Sequence, residues 1–143
     1  MGRAETVQID AAKRGATALE AHAWIVRARA YLDKDDSQQA WEDLKHVTAE
    51  PQALRVRVRY KIADGLAHYL LGEQENGKQR IDAARAETEK QSCVGLLLET
   101  KLARAQTLPP EESKPELEAI VRDAKAKNFG RIAKLGEAII QQQ

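Results

Sequence analysis

The 143-residue chain has few of the residues on which disulfide-rich, many-turned or membrane-spanning proteins depend. Its only cysteine, Cys93, excludes an internal disulfide framework and a cysteine-rich zinc site. Four prolines and eight glycines are too few for a β protein with many turns. No apolar run approaches the roughly 20 residues of a membrane-spanning helix, and the N-terminus lacks the apolar stretch of a signal peptide. We therefore expect a cytoplasmic protein without membrane contact.

The charge balance and the alanine content narrow further the kinds of protein that this chain can be. Lys and Arg number 23 and Asp and Glu number 22, so the formal net charge is +1. This balance excludes a globally basic nucleic-acid binder and an acidic tail protein, so we do not expect nucleic acid to be the partner. The chain contains 24 alanines. Because alanine is the strongest helix former and lets helices approach closely, the composition predicts a single all-α domain over residues 1–143.

Signals for helix ends and starts predict about seven helices. Gly15 is of the type that follows a helix, and Thr17 with Glu20 has the spacing of a capping box. Pro51 and the Leu108-Pro109-Pro110 run end later helices. The predicted segments are an N-terminal helix at 1–16, interpreted as the end of a truncated preceding repeat, helix pairs at 17–50, 52–90 and 92–127, and a C-terminal helix at 129–143.

Individual residues predict several boundaries within these segments. Asp36 lies in a polar break that offers N-caps before a helix at about 38–49. Glycine and asparagine favour the left-handed conformation that follows many helices, and Ser is a preferred N-cap. The remaining predicted boundaries are a helix end at Gly72, a restart at Asn76-Gly77, N-caps at Ser92 and Ser113, and a left-handed residue at Asn128.

Residues 54–62 fit two patterns. Apolar residues alternate with Arg and Lys over nine positions, which is typical of a half-buried strand. Leu54, Val58 and Ile62 also recur at helical spacing, and the pattern continues to Leu70 without a turn signal. We favour a helix because no partner strand is evident elsewhere in the chain.

Two segments in the first half of the chain resemble a tetratricopeptide repeat. They are Trp24-x2-Arg27-Ala28-x2-Tyr31 and Ala40-x3-Leu44. In that family, small residues at two positions let the paired helices touch. These positions are Ala28 and Ala40 in the first unit, Gly65 and Gly77 in the second, and Ala103 or Ala105 in the third. The resemblance implies antiparallel helix pairs stacked into a short right-handed α-solenoid. Residues 117–133 also resemble the closing repeat of bacterial multi-repeat regulators, which implies part of a larger bacterial regulatory or scaffold protein.

Residue patterns for catalysis are weak. The chain has no nucleophile elbow, phosphate-binding loop or dinucleotide fingerprint. Asp43 with His46, and Asp64 with His68, each put a carboxylate and an imidazole on one helix face, but we expect solvated or capping pairs. Cys93 is expected to be a buried, inert thiol. We predict that the protein is not an enzyme, and that it has no catalytic residue, no metal site and no cofactor.

A local cluster of four cations comprises Arg55, Arg57, Arg59 and Lys61. On a helix, Arg55 and Arg59 share one face, and Arg57 and Lys61 share another. Two interpretations are open at this point: neutralisation by carboxylates on a neighbouring helix, or a groove that receives acidic peptide or phosphate groups.

In tetratricopeptide arrays the first helix of each pair lines a concave face that holds peptides or partner helices. The resemblance therefore implies a non-catalytic protein–protein interaction module with a protein or peptide partner, acidic where the arginine cluster takes part. The alternatives are a domain that self-associates through exposed solenoid ends, and a metal-binding helical bundle. The residues assigned to partner binding are His22, Arg29, Arg55, Arg59, Ile62, Tyr69 and Arg104.

Overall fold

The computed structural model describes the backbone of residues 2–142 and the side chains of residues 18–142. Within residues 2–142 the chain forms seven helices and no strand, which confirms the predicted all-α class and helix number. Residues 54–62 lie within a helix, as the continuous helical pattern indicated. The helices are α1 (Gly2–Asp33), α2 (Ser37–Leu44), α3 (Leu54–Leu70), α4 (Gln74–Lys90), α5 (Val94–Ala105), α6 (Pro110–Ala126) and α7 (Gly130–Gln142).

The helices form two rows. Each helix packs against the next one in the chain, and short connections make such neighbours antiparallel. α1, α3, α5 and α7 also pack side by side, each against the next odd-numbered helix. Within the described part of the chain, α2, α4 and α6 make no such contacts with one another. The odd row is therefore the more closely spaced, inner row of a helical-repeat solenoid, and the even row lies outside.

The apolar core consists of two clusters that meet on opposite sides of α5. The first joins α1 to α4 and includes Leu96 and Ala103 of α5. The second joins α5 to α7 and includes Leu98 and Leu102 of α5. Such a divided core is typical of a repeat array, in which each unit buries its apolar face against the next.

Small residues lie where paired helices cross. Ala28 and Ala40 are fully buried, as predicted for the first pair. At the second crossing, a Cβ atom on Gly77 would lie 2.5 Å from the carbonyl oxygen of Gly65. The two backbones therefore touch, and only glycine fits this crossing. Gly77 lies inside α4, so the predicted restart of the helix at Asn76-Gly77 was wrong by about one turn.

Four helices end in the same type of turn. Asp35, Gly72, Ser92 and Asn128 all adopt positive φ angles, between 55° and 102°. After each of them, the next backbone N–H donates to the carbonyl five residues earlier, as from Glu73 to His68 at 2.9 Å. Gly72 and Asn128 confirm their predicted roles, and the Asp36 carboxylate caps α2 by accepting from the Gln39 N–H at 3.1 Å.

Other predicted boundaries were wrong as well. α1 runs through Gly15 and Thr17 as one helix, because a single glycine destabilises a helix by only about 1 kcal/mol and does not end it. Ser92 ends α4 instead of capping α5, whose N-cap is Cys93. Ser113 is buried inside α6, which begins at Pro110, since proline is preorganised for the first helical turn.

α2 is shorter than predicted. It ends at Leu44 and not near residue 49. The N–H groups of His46 and Val47 donate to the carbonyls three residues earlier, at 3.1 and 3.0 Å, which tightens the last turn. The chain leaves the helix there with Val47 buried in the core.

Candidate functional site

The inner row of helices carries a groove of about 210 Å³, which we call the inner groove. α3, α5 and α7 each contribute residues to its wall. Positively charged side chains come from α3 and α7, and a carboxylate comes from α5. The lining residues are Arg55, Arg59, Gly95, Leu96, Glu99, Phe129, Arg131 and Ile132.

The base of the inner groove is apolar. Leu96 and Ile132 are buried, and Phe129 is half-buried. The Phe129 ring lies against Gly95, where a Cβ atom would be 3.1 Å from the ring carbon Cε1. A side chain at position 95 would therefore press on the ring, so the glycine keeps Phe129 in the groove wall.

Arg59 and Glu99 form an ion pair inside the groove. Arg59 Nη2 donates to Glu99 Oε1 at 3.1 Å, and Arg59 Nε donates to Oε2 at 3.3 Å. This two-point contact is the geometry in which a guanidinium binds a carboxylate best. Arg55 and Arg131 are exposed, and neither has an ion pair with a carboxylate within residues 18–142.

Arg29 of α1 adds a further positive charge beside the groove. Burial lowers the pKa of Arg29, and the like charges of Arg59 and Arg131 lower it further. Glu99 and Asp33 act in the opposite direction. The charges of α1, α3, α5 and α7 therefore interact across one surface, where positive charge is in excess.

Two further cations of the α3 cluster, Arg57 and Lys61, are neutralised by α4. Arg57 Nε donates to Glu87 Oε1 at 2.6 Å, and Lys61 Nζ to Glu87 Oε2 at 3.1 Å. The hydrogen bond from Arg57 lowers the pKa of Glu87, with Lys61 adding to the effect. Three of the four cations therefore pair with carboxylates on neighbouring helices, Arg57 and Lys61 with Glu87 and Arg59 with Glu99. Arg55 lines the inner groove and has no ion pair with a described residue.

Four of the residues assigned to partner binding lie on the inner side. Arg29, Arg55 and Arg59 surround the groove as described above. His22 is exposed on α1, seven residues before Arg29 and thus on the same helix face.

The structure does not bring the other three assigned residues to the inner groove. Ile62 is fully buried in the core and offers no surface to a partner. Tyr69 lies on the α4 side of α3, since a Cβ atom on Gly77 would be 2.9 Å from the Tyr69 Cβ. Arg104 faces outward, where its Nε donates to Asp82 of α4 at 2.9 Å.

Sequence reasoning missed Gly95, Glu99, Phe129 and Arg131. The repeat pattern could have indicated Phe129 and Arg131, because α7 takes the place of the first helix of a fourth unit. Residues at its start therefore correspond to Arg55 and its neighbours in α3. Gly95 and Glu99 become recognisable only when α5 is seen between α3 and α7.

A larger cavity of about 380 Å³ lies on the outer side, between α4, α5 and α6. Its charges are largely balanced. Arg104 pairs with Asp82, Arg85 with Glu89, and α6 contributes Glu116 and Asp123 to the wall. The inner groove is therefore the better candidate for a charged partner, despite its smaller volume.

Both aspartate–histidine pairs have structural partners. The Asp43 carboxylate lies 3.2 Å from Arg27 Nε, while the His46 ring stacks on Trp24 with 4.0 Å between ring centroids. His68 Nδ1 lies 3.3 Å from the Asp64 carboxylate.

Asp64 also pairs with Arg80 of α4. Burial raises the pKa of Asp64, which Arg80 and His68 offset in part. Among the residues whose side chains are described, no three of His, Cys, Asp or Glu come together as metal ligands. Cys93 is a free thiol and half-buried.

Comparison of the chain with protein-family models, with curated proteins and with solved structures found no match. None of the helices in the described range is both long enough and apolar enough to cross a membrane.

Proposed function

We propose that this chain is a non-catalytic protein-interaction module that binds a short acidic segment of another protein in the inner groove. One observation carries the proposal. Three arginines, Arg55, Arg59 and Arg131, line an apolar base whose only carboxylate among the described residues is Glu99. Arg29 of α1, itself beside Asp33, adds a fourth positive charge that interacts with Arg59 and Arg131. An occupant with negative charge would relieve the repulsion among these arginines, and guanidinium groups suit carboxylates because they donate two parallel hydrogen bonds.

The size of the groove favours a short peptide element. Its volume of about 210 Å³ is below the roughly 300–1,000 Å³ of sites that enclose drug-sized ligands. One apolar side chain on Leu96 and Phe129, flanked by acidic residues at the arginine rim, matches this lining. The placement of the groove on the odd-numbered helices agrees with the tetratricopeptide resemblance, in which first helices hold the partner.

A second resemblance supports a place in a larger bacterial regulatory or scaffold protein, which we expect to be located in the cytoplasm. In such a protein the module would bring an acidic segment of a partner to its neighbouring domains. This part of the proposal is supported by residues 117–133, which resemble a closing repeat.

The proposal is tested by selecting peptides from a random displayed library on the purified chain. We expect enrichment of sequences that combine Asp or Glu with one large apolar residue. A synthetic peptide from the selection, and its Asn/Gln counterpart, are then titrated calorimetrically. Replacing Arg55 and Arg131 by Glu should weaken binding at least tenfold, because two attractions become repulsions, and added salt should weaken binding of the wild type.

Arg122→Glu provides the matched control. Arg122 is exposed on α6 and has no ion pair with a described residue. Arg122→Glu therefore changes the net charge by the same amount as each groove substitution, at a residue outside the groove lining. Equal affinity of the acidic peptide for the wild type and for the Arg55/Arg131 variant would refute the proposal. Selection of uncharged peptides would refute it as well.

A further inference from the structure

One face of α1 carries large apolar side chains that nothing covers within residues 18–142. Leu19 is 73 % exposed and Val26 is 54 % exposed, which are the highest values among the described large hydrophobic residues. Ala23 and Ala30 are exposed as well. These four residues are spaced by four, three and four positions, so they form one stripe, the α1 stripe, along the side of the helix opposite the buried Ala28.

The α1 stripe is complementary to itself. Large and small residues alternate along it, in the spacing of a two-helix seam. If a second copy packs antiparallel, Leu19 lies opposite Ala30 of the second copy, and Ala23 lies opposite Val26. Every large side chain then meets an alanine, which lets the two helices approach closely without a gap.

The charges that flank the stripe favour the same arrangement. Glu20 follows Leu19, and Arg27 follows Val26. Antiparallel packing sets Glu20 beside Arg27 of the second copy, twice because of the two-fold symmetry. Parallel packing would leave Glu20 without a cation. His22 comes beside an arginine of the second copy in either arrangement, Arg27 in the parallel one and Arg29 in the antiparallel one. Glu20 therefore decides between them.

Arg27 is already held in position for such a contact. Its Nε lies 3.2 Å from the Asp43 carboxylate, and its Nη2 donates to the Tyr31 hydroxyl at 3.3 Å. The side chain nevertheless remains 54 % exposed. Glu20 is exposed and has no ion pair with another described residue. A second copy would therefore meet a cation that is already held in place and bring its Glu20 carboxylate to the exposed side of that cation.

We infer that the chain forms a two-fold symmetric dimer in which the α1 stripes of two copies pack antiparallel. The contact involves few residues of each copy, so we expect a dissociation constant in the micromolar range. This surface is distinct from the inner groove and does not depend on the proposed function.

Sedimentation equilibrium between about 5 and 500 µM tests the dimer. The average mass of the wild type should rise from 15.9 kDa towards twice that value. The Leu19→Glu, Val26→Glu double variant should remain monomeric over the whole range. Leu135→Glu, at the other end of the array and 41 % exposed in the wild type, should dimerise like the wild type. A monomeric wild type, a dimeric double variant or a monomeric Leu135→Glu variant would each overturn the inference.

Disulfide cross-linking tests the orientation, in a Cys93→Ser background. Ala23→Cys and Val26→Cys chains are prepared separately and oxidised alone or mixed. Antiparallel packing predicts a covalent dimer chiefly in the mixture, since position 23 faces position 26 of the second copy. If each variant cross-links with itself when oxidised alone, and the mixture gives no additional covalent dimer, the packing is parallel and the inference is overturned.

Discussion

The crossing of α3 and α4 is tested by replacing Gly77 with alanine. An added Cβ atom would lie 2.5 Å from the Gly65 carbonyl oxygen, 2.8 Å from the Tyr69 nitrogen and 2.9 Å from the Tyr69 Cβ. All three atoms belong to α3, and none is the end of a flexible side chain. The two helices must therefore move apart to accept the methyl group.

Two opposing effects set the magnitude. Alanine is better than glycine inside a helix by about 1 kcal/mol. Overpacking of a buried contact costs about 1–3 kcal/mol, and more where backbone must move. Because the contact here is with backbone, we expect the larger end of that range to apply, and a net loss of about 2 kcal/mol in the free energy of unfolding.

Urea unfolding followed by circular dichroism and by the fluorescence of Trp24 and Trp41 measures this loss. Gly130→Ala is the matched control, since a Cβ atom there would have no neighbour within 4 Å. That variant should be as stable as the wild type or slightly more stable. If Gly77→Ala matched or exceeded the stability of the wild type, the close backbone contact at this crossing would be refuted.

Three further changes have defined outcomes in the same urea assay. Glu87→Gln should cost about 1–2 kcal/mol near pH 7, because two basic side chains of α3 lose their carboxylate. Since the pKa of Glu87 is lowered in the folded state, its stabilisation is present above its ordinary value of 4.5 and is lost as the pH falls. The stabilities of the wild type and the variant should therefore converge as the pH falls below 4.5, and a difference independent of pH would contradict the ion pair. Ser92→Gly should raise the free energy of unfolding by about 0.5–1 kcal/mol, because glycine adopts a positive φ without strain. Asn128→Gly should raise it less, because asparagine tolerates that conformation. A lower free energy of unfolding in both variants would refute this explanation. Ile62→Ala should cost about 2–5 kcal/mol as a core cavity, and a loss below 1 kcal/mol would place Ile62 outside the core.

The helices themselves could be predicted because their signals are local. The recurrence of Leu54, Val58 and Ile62 at helical spacing indicated α3, despite the alternation that is typical of a strand. The left-handed ends at Gly72 and Asn128 were likewise evident from residue type. The prediction was wrong at Ser92 and Ser113, because serine can cap a helix, end one or lie inside one. Which of these roles a serine takes depends on the path of the backbone after the preceding helix, which residue type does not indicate.

The candidate site could be predicted only in part. Arg55 and Arg59 stood out as cations without a nearby acid in the sequence. Ile62 lies three residues after Arg59, which is a rotation of about 60° around the helix, and that step leads from the groove into the core. Glu99 carried no local signal, because it approaches Arg59 only through the packing of α3 against α5. Arg131 was indicated only by the place of α7 as the first helix of a fourth unit.

Alanine content, helical spacing and turn residues determined that this chain is all-helical, with about seven helices in short-linked pairs. These properties depend on neighbours a few residues apart, so they can be recognised without a tertiary structure. The tertiary structure alone decided that Glu50, Glu87 and Glu99 neutralise three of the four α3 cations, while Arg55 and the Arg59–Glu99 pair line the inner groove with Arg131. Within residues 18–142, it also left the α1 stripe uncovered. Charge pairing and burial depend on which helix faces meet. For helices that are far apart in the sequence, only the tertiary packing determines this.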